Sequence, residues 1–369
     1  MVERWQPDPD QQELLTALLH PDDDLAVAAW QRWRANTDLQ QIDLGSQRLV
    51  PLLHNRLSRL SIRHGQEARY RAVHRYWWLR NATQINRLRE VLAALGDAGI
   101  AEHALMGGMA LIGDIYPSQA LRPTFDSDVL IRPEDVPVAI GVLSRLGFVP
   151  TNGSIRAMDQ PWIASLARRQ PGIRIRDSQI GRIHLWWSPA GAEGQADDMM
   201  ARAVSPRSKE LPARVLAPVD QLLQTCSQTV CRSDFLPLWW VVDATLMLRR
   251  HSFDGTQLTA LARQRRLTLP IATMLTYLDD SFDAPMPTGA ISHLLAAPFD
   301  QKDRSGHLAR IDPRLARIWG RVFGVLSQYL QHRRVSPKGS FVEFVSVAKN
   351  RPSLPPAKPD TAAPDSTLT

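Results

Sequence analysis

The chain has almost no cysteine. Cys226 and Cys231 are the two present in 369 residues, with four residues between them in a segment of helical periodicity. That excludes a disulfide-stapled scaffold, and it favours a pair of small buried side chains over metal or redox use. No stretch of about 18 uninterrupted apolar residues occurs, so no bilayer-spanning helix is expected. The opening MVERWQPDPDQQ carries acids and prolines where a secretory signal needs a basic start and an apolar run, so a cytoplasmic location is expected. Internal repeats, zinc-ligand motifs and a recognisable nucleic-acid recognition helix are also absent.

What is present is an ordinary globular composition, 44% hydrophobic and 22% charged, in a length that suggests two or three packed units. The formal charge of +7 comes overwhelmingly from arginine, whose planar fork suits phosphate or carboxylate. The arginines are spread along the chain rather than gathered into a run. A nucleotide, polyphosphate or nucleic-acid partner and a merely solvated surface both remain open on that observation.

Residues 10 to 98 read almost entirely as helix. Leu14, Leu15, Leu18 and Leu19 form one apolar stripe, and Ile85, Leu88, Leu92 and Leu95 another. Trp30, Trp33, Trp77 and Trp78 are expected to fill space between these helices. The pattern changes at Gly99. IAEHALM reads as a strand, Gly107 and Gly108 as a tight turn, and MALIGDIY as a helix. A polar loop then leads through Arg122 and Pro123 to FDSDVLI, a second strand, and Pro133 opens a helix that ends near Gly147.

GIRIR and QIGRIHLWW alternate apolar and polar residues and predict an antiparallel hairpin on the same sheet. Residues 200 to 215 read as a connector, and helical periodicity returns from Pro218 to about Leu295, with a further helix near Pro313 to His332. The fold class expected is α+β: a small mixed sheet flanked by helical regions. The expected divisions are 1–98 helical, 99–200 α/β core, 201–340 helical, and 341–369 a Pro-rich disordered tail.

The informative segment is MGGMALIGDIYPSQALRPTFDSDVLI, residues 106 to 131. Asp126 and Asp128 are two positions apart on a strand, so both point to one face while Ser127 points away. Two such acids repel unless a cation joins them. Hard oxygen ligands of this kind are what Mg²⁺ takes, one or two carboxylates together with substrate phosphates. The alternative is a solvated strand end. Gly107 and Gly108 stand at a strand-to-helix turn where backbone N–H groups and the positive helix end suit a triphosphate, although such a turn is also a common packing device. Arg122 either contacts a phosphate or pairs with Asp126 or Asp128 to hold the loop. His184 reads as a packed or hydrogen-bonded strand residue rather than a base. Of Trp186 and Trp187, one must face the core.

This segment resembles the nucleotidyltransferase superfamily that includes polymerase-β-type enzymes, and within it the bacterial family described as uncharacterised nucleotidyltransferases. The matching residues are Gly108, Tyr116, Pro117, Arg122, Pro123, Asp126 and Asp128. GSQRLVPLLHNRLSRL upstream, and LAPVDQLLQTC and WWVVDA downstream, extend the likeness over roughly residues 10 to 295. The resemblance implies a nucleotidyltransferase core that moves a nucleoside monophosphate from an NTP to an unknown acceptor (protein, small molecule or nucleic acid). Asp126 and Asp128 would then be the catalytic Mg²⁺ ligands, with Gly107, Gly108 and Arg122 binding nucleotide.

Departures from the family pattern carry equal weight. Gly107 stands where a lysine is common, Gln224 and Gln228 stand where two histidines are common, and Arg182 takes the place of the third metal-binding acid. Asp177 is the nearest substitute for that acid in the hairpin. These changes imply an alternative, a catalytically inactive relative that binds nucleotide or a protein partner without turnover. A basic helical protein that binds nucleic acid is a third reading.

Overall fold

The computed structural model describes residues 6–38, 42–151, 163, 170–178, 181–189, 195–208, 211, 213–231 and 238–297, with backbone alone at 228–231. The expected helix at 313–332 and the expected tail lie outside these residues, as does the side chain of Cys231.

Helices α1 (Pro9–Leu19), α2 (Asp23–Asn36), α3 (Leu44–Arg59) and α4 (Glu67–Asp97) precede the sheet. Each of the first three starts at an aspartate whose carboxylate accepts from the first-turn N–H groups: Asp8, Asp22 and Asp43. Such caps satisfy donors that the helix itself leaves orphaned. At Asp8 the arrangement is reciprocal, because Gln11 Oε1 accepts from the Asp8 N–H. With 31 residues α4 is about 46 Å long, long enough to touch the other helices with its first half and the sheet with its second.

The strands are β1 (Ala104–Met106), β2 (Ser127–Leu130), β3 (Val149–Pro150), β4 (Gly172–Arg176), β5 (Arg182–Trp186) and β6 (Arg214–Val215). Their order is β3-β4-β5-β2-β1-β6. β1 runs antiparallel to β2, β2 parallel to β5, and β4 antiparallel to β5, which is the hairpin the alternation called for. The architecture is therefore a mixed sheet within a largely helical chain, an α+β fold.

Alternation divides the two faces of the sheet. Val129, Ile173, Ile175, Ile183, Leu185 and Trp187 face α4 and α6 (Val136–Arg145) and form one core with Leu88, Val91, Leu95, Ile140 and Leu143. On the opposite face Ala104, Met106 and Leu130 pack on Met199 and Met200 of α7 (Gln195–Arg202). Beyond these, helices α8 (Pro218–Cys231), α9 (Trp239–Arg250), α10 (Gly255–Gln264), α11 (Thr268–Phe282) and α12 (Ala290–Ala296) follow. Their apolar faces share a core with α1 to α3, in which Leu14, Trp33, Leu49, Leu53, Trp240, Leu275 and Phe282 are buried. Among the described residues no helix is long and apolar enough to cross a membrane.

Three expectations need correction. The helix after the Gly-Gly turn, α5, is one turn long (Gly107–Ala110), because Gly113 takes φ +87° and its N–H turns back to the Tyr116 carbonyl at 2.8 Å. The connector at 200–215 contains β6, whose two residues are too few for any periodic signal. Trp78 is 51% exposed on α4 while Trp30, Trp33 and Trp77 are buried, since it follows Trp77 by 100° around the helix and so leaves the packed side.

Candidate active site

Asp126 lies one residue before β2, and Asp128 lies within it. Ser127 between them is buried against α4, where its hydroxyl accepts from Gln84 Nε2 at 3.0 Å. The two carboxylates therefore share the other face of the sheet, 29% and 16% exposed. His184 pairs with Asp128 in register and Trp186 with Leu130, so both β5 side chains stand on the same face. Trp186 Nε1 donates to Asp128 Oδ1 at 2.8 Å. His184 Nδ1 is 3.3 Å from the same oxygen, and its ring stacks on Trp186 with centroids 3.8 Å apart. Trp187 is the core-facing member of its pair.

The turn glycines are needed for steric reasons. Gly107 has φ +66°, and a Cβ on it would lie 2.5 Å from Asp128 Oδ2. No side chain, lysine included, fits there while Asp128 keeps this position. A Cβ on Gly108 would lie 2.9 Å from Arg122 Cζ. The backbone amide expected to face a phosphate already has an acceptor: Gly107 N–H donates to Gln221 Oε1 at 3.2 Å, and Gln221 Nε2 returns a bond to the Gly107 carbonyl at 3.3 Å.

Arg122 pairs with neither acid of the strand. Its Nε and Nη2 grip Asp243 of α9 at 2.8 and 2.7 Å, and Nη1 donates to the Pro123 carbonyl. The guanidinium also lies over Trp239, 4.3 Å from the ring centroid. Tyr116 completes the cluster by donating its hydroxyl to Asp243 Oδ1 at 2.5 Å. Burial, with Asp243 adding to it, holds the Tyr116 phenol protonated well above its ordinary range. Tyr116, Arg122 and the aspartate of WWVVDA, far apart in sequence, thus form one buried knot that fixes the loop leading to Asp126.

A polar seam on α4 holds the same loop from beneath. Asn81 donates to the Gln119 and Arg122 carbonyls at 2.6 and 2.9 Å and accepts from the Thr124 hydroxyl at 3.0 Å. Gln84 also donates to the Arg182 carbonyl at 2.7 Å. Both are buried polar side chains inside an apolar stripe, which is the one sequence signal that marks them.

Asp177 does not join the site. It faces α4 on the other side of the sheet, where Arg87 Nε donates to Oδ2 at 2.8 Å and Gly181 N–H to Oδ1 at 2.8 Å. Arg182 and Arg174, by contrast, share the acid face, and Arg174 Nε lies 3.7 Å from Asp126 Oδ2. Among the described residues no three His, Cys, Asp or Glu side chains cluster to hold a metal. Gln224 is buried on α8, and the side chain of Gln228 lies outside the described residues.

Electrostatics sets Asp126 apart from its surroundings. Burial is the larger cause that raises the Asp126 pKa above the usual carboxylate range, and Asp128 adds to it. Arg174, His184 and Arg182 oppose the rise without cancelling it. Loss of hydration around Asp126 thus outweighs the three cations that face it.

None of the curated proteins matches the chain. The sequence profile of a family described as "Uncharacterised nucleotidyltransferase" matches residues 44–283, a span that opens with α3, ends just after α11 and includes both acids, both turn glycines, Arg122 and Asp243. The chain therefore belongs to the uncharacterised nucleotidyltransferase family.

Proposed function

We propose that this chain transfers a nucleoside monophosphate from an NTP to an acceptor nucleophile. The observation that carries the reading is the Asp126–Asp128 pair, two partly exposed carboxylates on one sheet face beside a turn that has no side chain. In the transfer the acceptor forms a bond to the α-phosphorus, the bond from that phosphorus to the α–β bridging oxygen breaks, pyrophosphate leaves, and the acceptor's proton passes to water. Such chemistry depends on position and charge neutralisation more than on a strong base.

The two acids fit a divalent cation: they offer hard oxygens from one strand face, and a cation there would offset the cost that burial and Asp128 place on the Asp126 charge. Asp126 and Asp128 would hold Mg²⁺, which when bound neutralises phosphate charge and polarises the reacting group. Trp186 orients Asp128 through Oδ1 and leaves Oδ2 toward the Gly107 turn. The Arg122–Asp243–Tyr116 knot acts as a positioning device for the loop rather than as a contact to nucleotide.

Pyrophosphate release from a panel of NTPs, with and without Mg²⁺, tests the proposal. Release that requires Mg²⁺ and falls at least about 100-fold in Asp126→Ala and Asp128→Ala is the expected result. A second reading, nucleotide binding without turnover, is favoured by Arg182 and Arg174 on the acid face. NTP binding by calorimetry with no pyrophosphate released would establish it instead.

A further inference from the structure

Three histidines outside the candidate site meet where α3 packs on the first half of α4. His54 of α3 stands edge-on to Tyr70 and His74 of α4, with ring centroids 6.4 and 6.2 Å apart. His64, in the connection between the two helices, lies 4.6 Å from the Tyr70 ring and 5.9 Å from that of Trp30 on α2. His64 is buried, and His54 and His74 are half-buried. Gln66 N–H donates to His64 Nδ1 at 3.3 Å. An imidazole nitrogen that accepts carries no proton of its own, so the fold holds this ring in its neutral form.

The surroundings of the three rings disfavour their protonation. Among the described residues the histidines that pair with a carboxylate are His184 and His251, which belong to other parts of the fold. Burial is the largest cause that lowers the pKa of His54, His64 and His74. At His54 the neighbours His74, Arg71 and His64 push further down, and at His64 Arg34 does so. Glu67 opposes the fall at both rings, but its carboxylate already accepts from the His64 and Gly65 N–H groups. Tyr70 supplies no countercharge, because burial pushes its phenol up to about 12. Once protonated, the three rings would join Arg34 and Arg71 against the charge of Glu67.

We propose that the contact of α3 with α4 is an acid-sensitive joint, in which His54, His64 and His74 take up protons over one pH range and the two helices part locally. An unfolded histidine titrates at about 6.5, and these three titrate lower in the fold. Above about 6.5 all are neutral in both states and the joint keeps its full strength. As pH falls from there through the folded values, the open chain binds more protons than the closed one, and each histidine raises the opening constant by up to about tenfold per pH unit. Three that titrate together make the loss steep. The same helix carries Trp77, whose ring meets Phe125 edge-on at 5.2 Å, and Asn81, which holds the loop before Asp126. Slackening in the first two turns of α4 therefore reaches the candidate site along one element. That last link rests on the nucleotidyltransferase reading, whereas the joint itself does not.

The test uses the full chain at pH 7.5 and 5.5. Hydrogen exchange of wild type, corrected for the intrinsic rate at each pH, should show the amides of α3 and of the first two turns of α4 losing at least about tenfold more protection at pH 5.5 than those of β2 and β5. Ring resonances of His54, His64 and His74 should titrate below 6.5. In urea denaturation the unfolding constant of wild type should rise between the two pH values by at least about tenfold more than that of His54→Gln/His64→Gln/His74→Gln. His54→Gln and His74→Gln, at the two half-buried positions, should each remove part of the difference if the triple variant does not fold. Protection lost evenly over helices and sheet, rings that titrate at or above 6.5, or variants with the pH dependence of wild type overturn the joint. Pyrophosphate release that falls reversibly at pH 5.5 in wild type, and less in the single variants, supports the link to the site. Release unchanged while the joint opens overturns that link alone, and a chain that releases no pyrophosphate at either pH removes the transfer and leaves the joint standing.

Discussion

Two sets of carboxylates in this protein sit in opposite situations. Asp243 and Asp220 are 4% and 0% exposed, and each is saturated: Asp243 by Arg122 and Tyr116, Asp220 by Arg202 and Arg265. Asp126 and Asp128 are more exposed and less well matched. Asp128 accepts from an indole and has His184 Nδ1 at 3.3 Å, and Arg174 stands 3.7 Å from Asp126, beyond hydrogen-bond reach. A saturated acid fastens elements together, whereas an unsaturated one has capacity left for something the chain does not contain. Residue type is the same in both sets, so partner count and burial must separate structure from chemistry.

The sharpest way to break this contrast is Asp243→Ala. It leaves the Arg122 guanidinium and the Tyr116 hydroxyl buried without their partner, and removal of one member of a buried pair costs about 3–5 kcal/mol. Urea denaturation should show that loss, and Asp128→Ala should show far less. Equal losses for the two would mean that Asp128 is also a structural acid.

Gly107→Ala comes next. Its φ of +66° and the 2.5 Å approach to Asp128 Oδ2 require both a strained backbone and a displaced carboxylate, about 1–3 kcal/mol together. The loss should appear in denaturation and, through Asp128, in any Mg²⁺-dependent pyrophosphate release.

Much of this could be read from the sequence, and the part that could not has a physical cause. The spacing of Asp126 and Asp128, the alternation in GIRIR and RIHLW, and the leucine stripes of α1 and α4 are local signals, because strand and helix periods are local properties. Arg122 with Asp243, Gln221 with Gly107, and Gln84 with the Arg182 carbonyl join residues 121, 114 and 98 positions apart. No period connects them. Arg122 shows the limit plainly: the sequence offered a phosphate or a neighbouring aspartate as its partner, and the chain supplies an aspartate from α9.

Trp186→Phe probes how far Asp128 depends on its single strong donor. Loss of the Nε1–H frees Asp128 Oδ1, so the carboxylate should be held less firmly. Pyrophosphate release should fall by roughly tenfold, in keeping with groups that orient a metal ligand rather than bind the metal themselves. Stability should change by no more than about 1 kcal/mol. An unchanged rate would show that His184, Gly107 and the strand orient the carboxylate without the indole.

The smallest effect, and the one that separates the two sets most cleanly, belongs to Asp126→Asn. Burial, then Asp128, raises the Asp126 pKa, so the folded chain holds the proton more tightly than the unfolded chain does. Below the unfolded value of about 3.9 the group is protonated in both states and costs nothing. As pH rises from there through the folded pKa, ionisation in the fold becomes a cost that is fully present above it. Asparagine is neutral at every pH. At pH 7 the variant should therefore melt about 1–2 °C higher than wild type, the difference should vanish near pH 3, and pyrophosphate release should be lost throughout. Stability gained where activity is lost is the behaviour of an acid kept for chemistry. A lower melting point at pH 7 would instead place Asp126 beside Asp243 as a fastening carboxylate, with Arg174 as its true partner.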